Sequence, residues 1–168
     1  TTLYAGTDRG VFTSTDGGGA WGPANSGLTN RHIEALANDP AMPTALYAAT
    51  YHDGVYKTAN GGASWNRAST GLADNQVLTL AIDTETTTTL YAGTVRYEEL
   101  DEGVIREIGS VFRTTDGGED WQLTSNGLNV PAVYALAVDR LVPTNVYIGT
   151  HSTGAFKSTN GGESWSAI

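Results

Sequence analysis

The sequence contains no cysteine. That absence removes a disulfide framework, a thiolate nucleophile and a Cys-ligated zinc from consideration. It leaves the compartment open, because many secreted proteins also lack Cys. Charge is sparse, at 16% of residues, and basic charge is sparser: 9 Lys+Arg face 18 Asp+Glu, for a net charge of −9. A field of that sign repels phosphate, which argues against nucleic acid and anionic membrane surfaces as partners. No apolar run approaches the ~18 residues of a membrane span, and no secretory leader pattern is visible. The chain starts at Thr1 rather than Met, which fits a processed chain or a piece of something longer. What is plentiful is Gly, at 21 residues, and Thr, at 24, beside a hydrophobic content of 39%. Gly runs well above its usual ~7%. This is the composition of a turn-rich β protein with enough apolar residues for a core.

An internal repeat decides the architecture. Four segments share one pattern: Ser14 to Trp21, Thr58 to Trp65, Thr114 to Trp121 and Ser158 to Trp165. The Trp-to-Trp spacings are 44, 56 and 44, so twelve extra residues in the third unit account for the irregular interval. A second landmark keeps phase: Leu3 to Thr7, Leu46 to Thr50, Leu90 to Thr94 and Val146 to Thr150. A third occurs at Ile33 to Asp39, Val77 to Asp83 and Val133 to Asp139.

Each unit resolves into four short strands, A to D, separated by turns. Strand A, such as Val77 to Ile82, is apolar on both sides and predicts cover on both faces. Strand B is the Leu-Tyr-Ala-Gly-Thr segment. Strand C ends just before the Gly-Gly motif, and strand D begins near each motif Trp. Four strands per ~44 residues, buried on both faces, fit a β-propeller blade. No window shows helical apolar spacing, so a helical solenoid is excluded. The units are 1–28, a partial blade, then 29–72, 73–128 and 129–168. The fold class is therefore all-β: four-stranded antiparallel blades, about four present, the first lacking its inner strand. An open inner edge on blade one points to a larger ring, completed by the remaining blades of a longer chain or by another copy.

The motif between strands C and D reads as a fastener. Asp16, Asn60, Asp116 and Asn160 occupy one position. A catalytic acid does not tolerate exchange with Asn, whereas an acceptor of backbone N–H bonds does. Paired glycines supply the positive φ of a tight hairpin. Trp21, Trp65, Trp121 and Trp165 are each expected to bury their ring and donate the indole N–H to a carbonyl, leaving none to stack on a ligand. The repeated Ser/Thr-x-Asp/Asn-x-Gly-x-x-Trp pattern resembles the Asp-box of sialidases, sortilin-type receptors and xyloglucanase-type glycoside hydrolases. With its Leu-Tyr-Ala-Gly-Thr segments, the whole repeat most resembles the short bacterial-neuraminidase-type repeats of bacterial surface and secreted proteins. The resemblance implies a propeller, usually of six to ten blades, and an extracellular or cell-surface location in a bacterium. It implies little about activity, since enzymes, receptors and assembly factors share the motif.

Function is expected on the face built by the D–A and B–C connections, opposite the Gly-Gly turns. The candidate binding residues there are Asp8, Arg9, Arg31, His32, Tyr51, His52, Asp53 and His151. Of eight Tyr, only Tyr51 and Tyr97 fall outside the expected strands, so Tyr51, His52 and Arg31 make the best aromatic and polar set for a sugar. The twelve-residue insertion lies within 95–109, between strands B and C of unit three. Asp101-Glu102-Gly103 signals a turn, so B and C lengthen into a protruding hairpin whose Tyr97, Glu98, Glu99, Asp101 and Glu102 are candidate partner contacts. A calcium loop fits poorly, because the acids do not alternate with turn residues. His32, His52 and His151 sit on different units and do not form a zinc motif. No metal and no cofactor is expected.

Three readings follow. The first is a non-catalytic secreted or surface propeller that binds protein or glycan. The second is a fragment of a glycoside hydrolase. Sialidase chemistry needs an Arg cluster that the inner strands lack; xyloglucanase-like chemistry would need loop Asp residues such as Asp8, Asp53 or Asp74. The third is a structural or assembly-factor propeller within a larger complex.

Overall fold

The computed structural model describes residues 1–168, apart from the Glu102 side chain. Fifteen strands form four antiparallel sheets. The first sheet holds β1 (Leu3–Thr7), β2 (Gly10–Ser14) and β3 (Gly22–Pro23). The second holds β4 (Ile33–Asn38), β5 (Leu46–Thr50), β6 (Gly54–Thr58) and β7 (Asn66–Arg67). The third holds β8 (Val77–Ile82), β9 (Leu90–Glu99), β10 (Ile105–Thr114) and β11 (Gln122–Leu123). The fourth holds β12 (Val133–Val138), β13 (Val146–Thr150), β14 (Ala155–Ser158) and β15 (Ser166–Ala167). Each sheet is a meander in chain order, and the innermost strands β4, β8 and β12 lie side by side. The sheets therefore radiate as propeller blades. Blade one has no inner strand, so β1 presents an open edge. Among the described residues, no helix is long and apolar enough to cross a membrane.

The core lies between blades rather than within them. Ile33, Leu46, Ala48, Tyr56 and Trp65 of blade two meet Val11, Ala24 and Leu28 of blade one. Val77, Leu80, Leu90, Phe112 and Trp121 of blade three meet Ala37, Tyr47, Ala49 and Val55 of blade two. Val133, Val146 and Ile148 of blade four meet Tyr91 and Val111 of blade three. Large residues on one face thus interlock with small ones on the next, which allows close approach of neighbouring sheets.

The Gly-Gly turns are built as fasteners at all four positions. Asp116 Oδ1 accepts from Thr114 Oγ1 at 2.6 Å and from the backbone N–H groups of Glu119 and Asp120 at 2.9 and 3.1 Å. Asn60 Oδ1 does the same for Thr58 and Ser64, at 2.8 and 2.9 Å. Gly61 and Gly62 sit at φ of 68° and 85°, where a side chain is strained.

The indoles depart from expectation at one site. Trp65 Nε1 donates to the Ala24 carbonyl at 2.8 Å, Trp121 Nε1 to Ala68 at 2.9 Å and Trp165 Nε1 to Thr124 at 2.8 Å. Each acceptor belongs to the preceding blade. Trp65 and Trp121 are 3% and 2% exposed, whereas Trp21 is 44% exposed. No blade packs against the Trp21 ring in this structure, and it is the most exposed of the four motif rings, Trp165 being half-buried. The bond is thus a contact between blades, not within one.

The insertion forms the expected hairpin, with β9 and β10 paired from Leu90↔Thr114 out to Glu99↔Ile105 around a short turn at Asp101–Gly103. One placement is corrected: Tyr97, expected outside the strands, lies inside β9, because the pairing runs out past it to Glu99.

Candidate functional site

Strand alternation, bulges and the long hairpin bring two groups of side chains together on the B–C and D–A face. In blade two, the His32 and Tyr51 rings stack with centroids 5.0 Å apart, and Tyr51 meets His52 edge-on at 4.0 Å. His32 precedes β4, and Tyr51 and His52 form the β5–β6 turn; the Tyr51 N–H donates to the His32 carbonyl at 3.0 Å and locks the two loops. His32 Nε2 also lies 3.3 Å from Glu34. In blade four, Tyr134 meets His151 edge-on at 5.8 Å, and His151 Nδ1 contacts Glu107 of the hairpin at 2.8 Å. Tyr97 lies opposite Glu107 in the β9–β10 ladder. Burial pushes its phenol up, and the Glu107 carboxylate adds to that.

Three of these residues, Glu34, Tyr134 and Glu107, escape the sequence reading. Tyr134 lies within an expected strand. A register shift between Val133 and Ala135 re-aims it toward the centre, and the same shift recurs at Glu34 and Leu78. A bulge of this kind is a property of pairing and leaves no local signature. Glu107 is aligned only once β10 pairs with β9, opposite Tyr97.

The other candidates are distributed differently. Asp8 and Arg9 form the β1–β2 turn, where the Arg9 N–H donates to Thr7 Oγ1 at 3.0 Å. Arg31 is exposed beside His32. Asp53 turns away from the aromatic group and accepts from Thr29 and Tyr56, with Arg67 at 3.5 Å. Burial pushes the Asp53 carboxyl up, but the Thr29 and Tyr56 hydroxyls and the Arg67 guanidinium outweigh it and hold it below the ordinary carboxylate value. Such a group stays ionised and is a poor proton donor at neutral pH. Asp74 is buried; it accepts from Thr94 Oγ1 at 3.0 Å, and Arg96 lies 3.9 Å away. In the hairpin, Arg106 pairs with Glu98 at 2.5 Å, while Glu99 and Asp101 are exposed at the tip. The Glu102 side chain lies outside the described residues. Among the described residues, no group of three or more His, Asp or Glu is arranged to hold a metal ion.

A wide cleft lies elsewhere. It has a volume of about 690 Å³ and is lined by Arg113, Asp116, Asp120, Thr124, Asn126 and Glu163, between the outer strands of blades three and four. At the two earlier junctions, Trp65 N–H and Trp121 N–H donate to the Ser26 and Thr70 carbonyls, both at 2.8 Å. Gly27 and Gly71 pack directly on the same Trp carbonyls, whereas Gly127 faces open space. The cleft is the gap left where this loop does not seat, and it is wide and polar rather than a pocket with convergent chemistry.

No family model matches the chain, and no curated protein does. Solved structures do. An ancestral GH74 enzyme aligns at a TM-score of 0.79 and 24% identity, covering 99% of this chain and 22% of its own. The GH74 xyloglucanase from Xanthomonas campestris aligns at 0.74 and 17%, covering 99% of this chain and 28% of its own. YCF48 from Cyanidioschyzon merolae aligns at 0.56 and 17%, covering 81% and 36%. The chain thus spans about a quarter of the first two structures. At these identities the likeness establishes the fold, an all-β propeller of four-stranded antiparallel blades.

Proposed function

We propose that the chain is a non-catalytic propeller module that binds a glycan or a protein on its B–C and D–A face, a glycan being the better fit. The observation that carries this is the exposed His32, His52, Tyr97, Tyr134 and His151 on that face, with the half-buried Tyr51 packed between the two blade-two imidazoles. Tyrosine faces offer apolar contact to sugar C–H groups, while imidazoles and the Glu34 and Glu107 carboxylates offer hydrogen bonds to hydroxyls. The Asp-box resemblance supports an extracellular or cell-surface setting in a bacterium. In the test, the chain is screened against an oligosaccharide array and against reducing-sugar release. Binding without hydrolysis, lost in Tyr51→Ala and Tyr134→Ala at unchanged melting temperature, is the expected outcome. No glycan binding, or binding indifferent to both changes, defeats it.

A second reading, a fragment of a glycoside hydrolase, draws on the likeness to GH74 propellers and on Asp53 and Asp74 near the same face. It weakens on the hydrogen bonds that already occupy both carboxylates. Reducing-sugar release abolished by Asp53→Asn or Asp74→Asn would favour it. A propeller serving assembly would instead co-purify in a stoichiometric complex without glycan affinity.

A further inference from the structure

The junctions between blades share one indole contact. At each, the trailing blade's motif indole donates to a leading-blade carbonyl three residues after the leading motif Trp, beside a leading strand-B Tyr. In blades two and three that Tyr is joined by a strand-C base, and one of the two donates to the carbonyl of the trailing Gly-Gly turn. Between blades two and three these are Trp121 Nε1 on the Ala68 carbonyl at 2.9 Å and Lys57 Nζ on the Gly117 carbonyl at 3.0 Å, with Lys57 lying 5.4 Å from the Tyr47 centroid. Between blades three and four they are Trp165 Nε1 on Thr124 at 2.8 Å and Tyr91 Oη on the Gly161 carbonyl at 3.2 Å, with Arg113 over Tyr91 at 5.9 Å. Between blades one and two, Trp65 Nε1 seats on Ala24 at 2.8 Å and Tyr4 reaches the Gly61 turn.

The two outer faces of the molecule hold the missing halves. Blade four carries Tyr147 with Lys157 already stacked 5.2 Å from its centroid, the same pairing that serves Gly117 and Gly161 at the internal junctions. Its Ile168 is held by the Ala155 carbonyl at 3.0 Å, as Ala68 and Thr124 are held by Val55 and Val111. Ala135 and Ala137, whose counterpart Ala37 is buried, are exposed there. Blade one carries the exposed Trp21 and Leu3, whose counterparts Trp65, Trp121, Leu46 and Leu90 are buried, and a Gly17 with open space around it. One face carries the strand-B, strand-C and strand-D part of a leading surface and the other the matching part of a trailing surface, without the inner strand that the internal junctions also use.

We infer that a second copy of this chain docks head to tail on these faces. Its Trp21 indole donates to the Ile168 carbonyl, and Lys157 donates to its Gly17 carbonyl beside Tyr147. The contact is heterologous, so each copy uses both faces and the assembly grows toward ring closure. The experiment measures the mass in solution of the 168-residue chain, of Lys157→Glu, of Trp21→Ala, and of the two variants mixed in equal amounts. The expected result is a multiple of 17.6 kDa for the unaltered chain at tens of micromolar, and monomer for each variant alone. The mixture regains a dimer, because one intact leading face then meets one intact trailing face. A monomeric unaltered chain overturns the inference and leaves these faces to further blades. So does an oligomer that survives both substitutions, or a mixture that stays monomeric. Where Trp21→Ala does not fold, Trp21→Phe takes its place in the mixture.

Discussion

The clearest perturbation is to truncate the same motif tryptophan at different places in the array. Trp121 is 2% exposed, packs with Tyr47, Val55, Leu72 and Phe112, and donates to the Ala68 carbonyl at 2.9 Å. Trp121→Ala opens a cavity between two blades and leaves that carbonyl without its donor. Large-to-small changes of an aromatic of this kind cost about 3–5 kcal/mol. At roughly 2–4 °C per kcal/mol for a chain of this size, the melting temperature falls by about 6–20 °C. Trp121→Phe keeps most of the ring and loses mainly the donor, for about 1–3 kcal/mol. Trp21 occupies the same place in its own turn, but 44% of it is exposed and no blade packs against it in this structure. Trp21→Ala is expected to cost about 1 kcal/mol or less. Differential scanning calorimetry checks the series, at a protein concentration low enough that the transition no longer depends on it. Equal losses for Trp21→Ala and Trp121→Ala would refute the claim that the indole acts between blades. So would a Trp121→Ala transition within about 2 °C of the unaltered chain.

Two further predictions rest on the junctions and turns. Gly71 and Gly127 have φ of 82° and 81°, so replacement by Ala strains both backbones equally, by about 1–2 kcal/mol. A methyl at Gly71 also collides with the Trp121 carbonyl, whereas one at Gly127 meets nothing, so Gly71→Ala should lower the melting temperature at least twice as much. The turn carboxylates set an acid limit. The Ala20 N–H and the Ser14 hydroxyl hold Asp16 below its ordinary value of 3.8, and Thr114 and the Asp120 N–H do so for Asp116. The Leu141 N–H and the Asn145 side chain act alike on Asp139. A depressed folded value means the unfolded chain takes up protons first as pH falls. The stabilisation is therefore complete above the ordinary carboxylate value and is lost as pH drops through the depressed ones. Melting temperature should decline progressively below about pH 4. Asp116→Asn, which reproduces the Asn60 turn, should leave the neutral melting temperature nearly unchanged while flattening the acid decline. Asp116→Ala should lower the melting temperature at both.

Strand order, the all-β class, the turn chemistry and the protruding hairpin were legible from sequence. Each depends on interactions a few residues apart, and the repeat states them three or four times over. An Asp or Asn two residues after a hydroxyl, followed by two glycines, has essentially one way to bond its own turn. The partner of each indole was not legible. It lies 41 residues back for Trp65 and 53 back for Trp121, on a neighbouring sheet, so the exposure of Trp21 appears only once the blades are set side by side. Nor was the meeting of Tyr134, His151 and Glu107, which come from two blades and depend on a bulge and on the length of a hairpin. The local code writes the blade. The packing of one blade on the next decides which surfaces are core and which are left exposed.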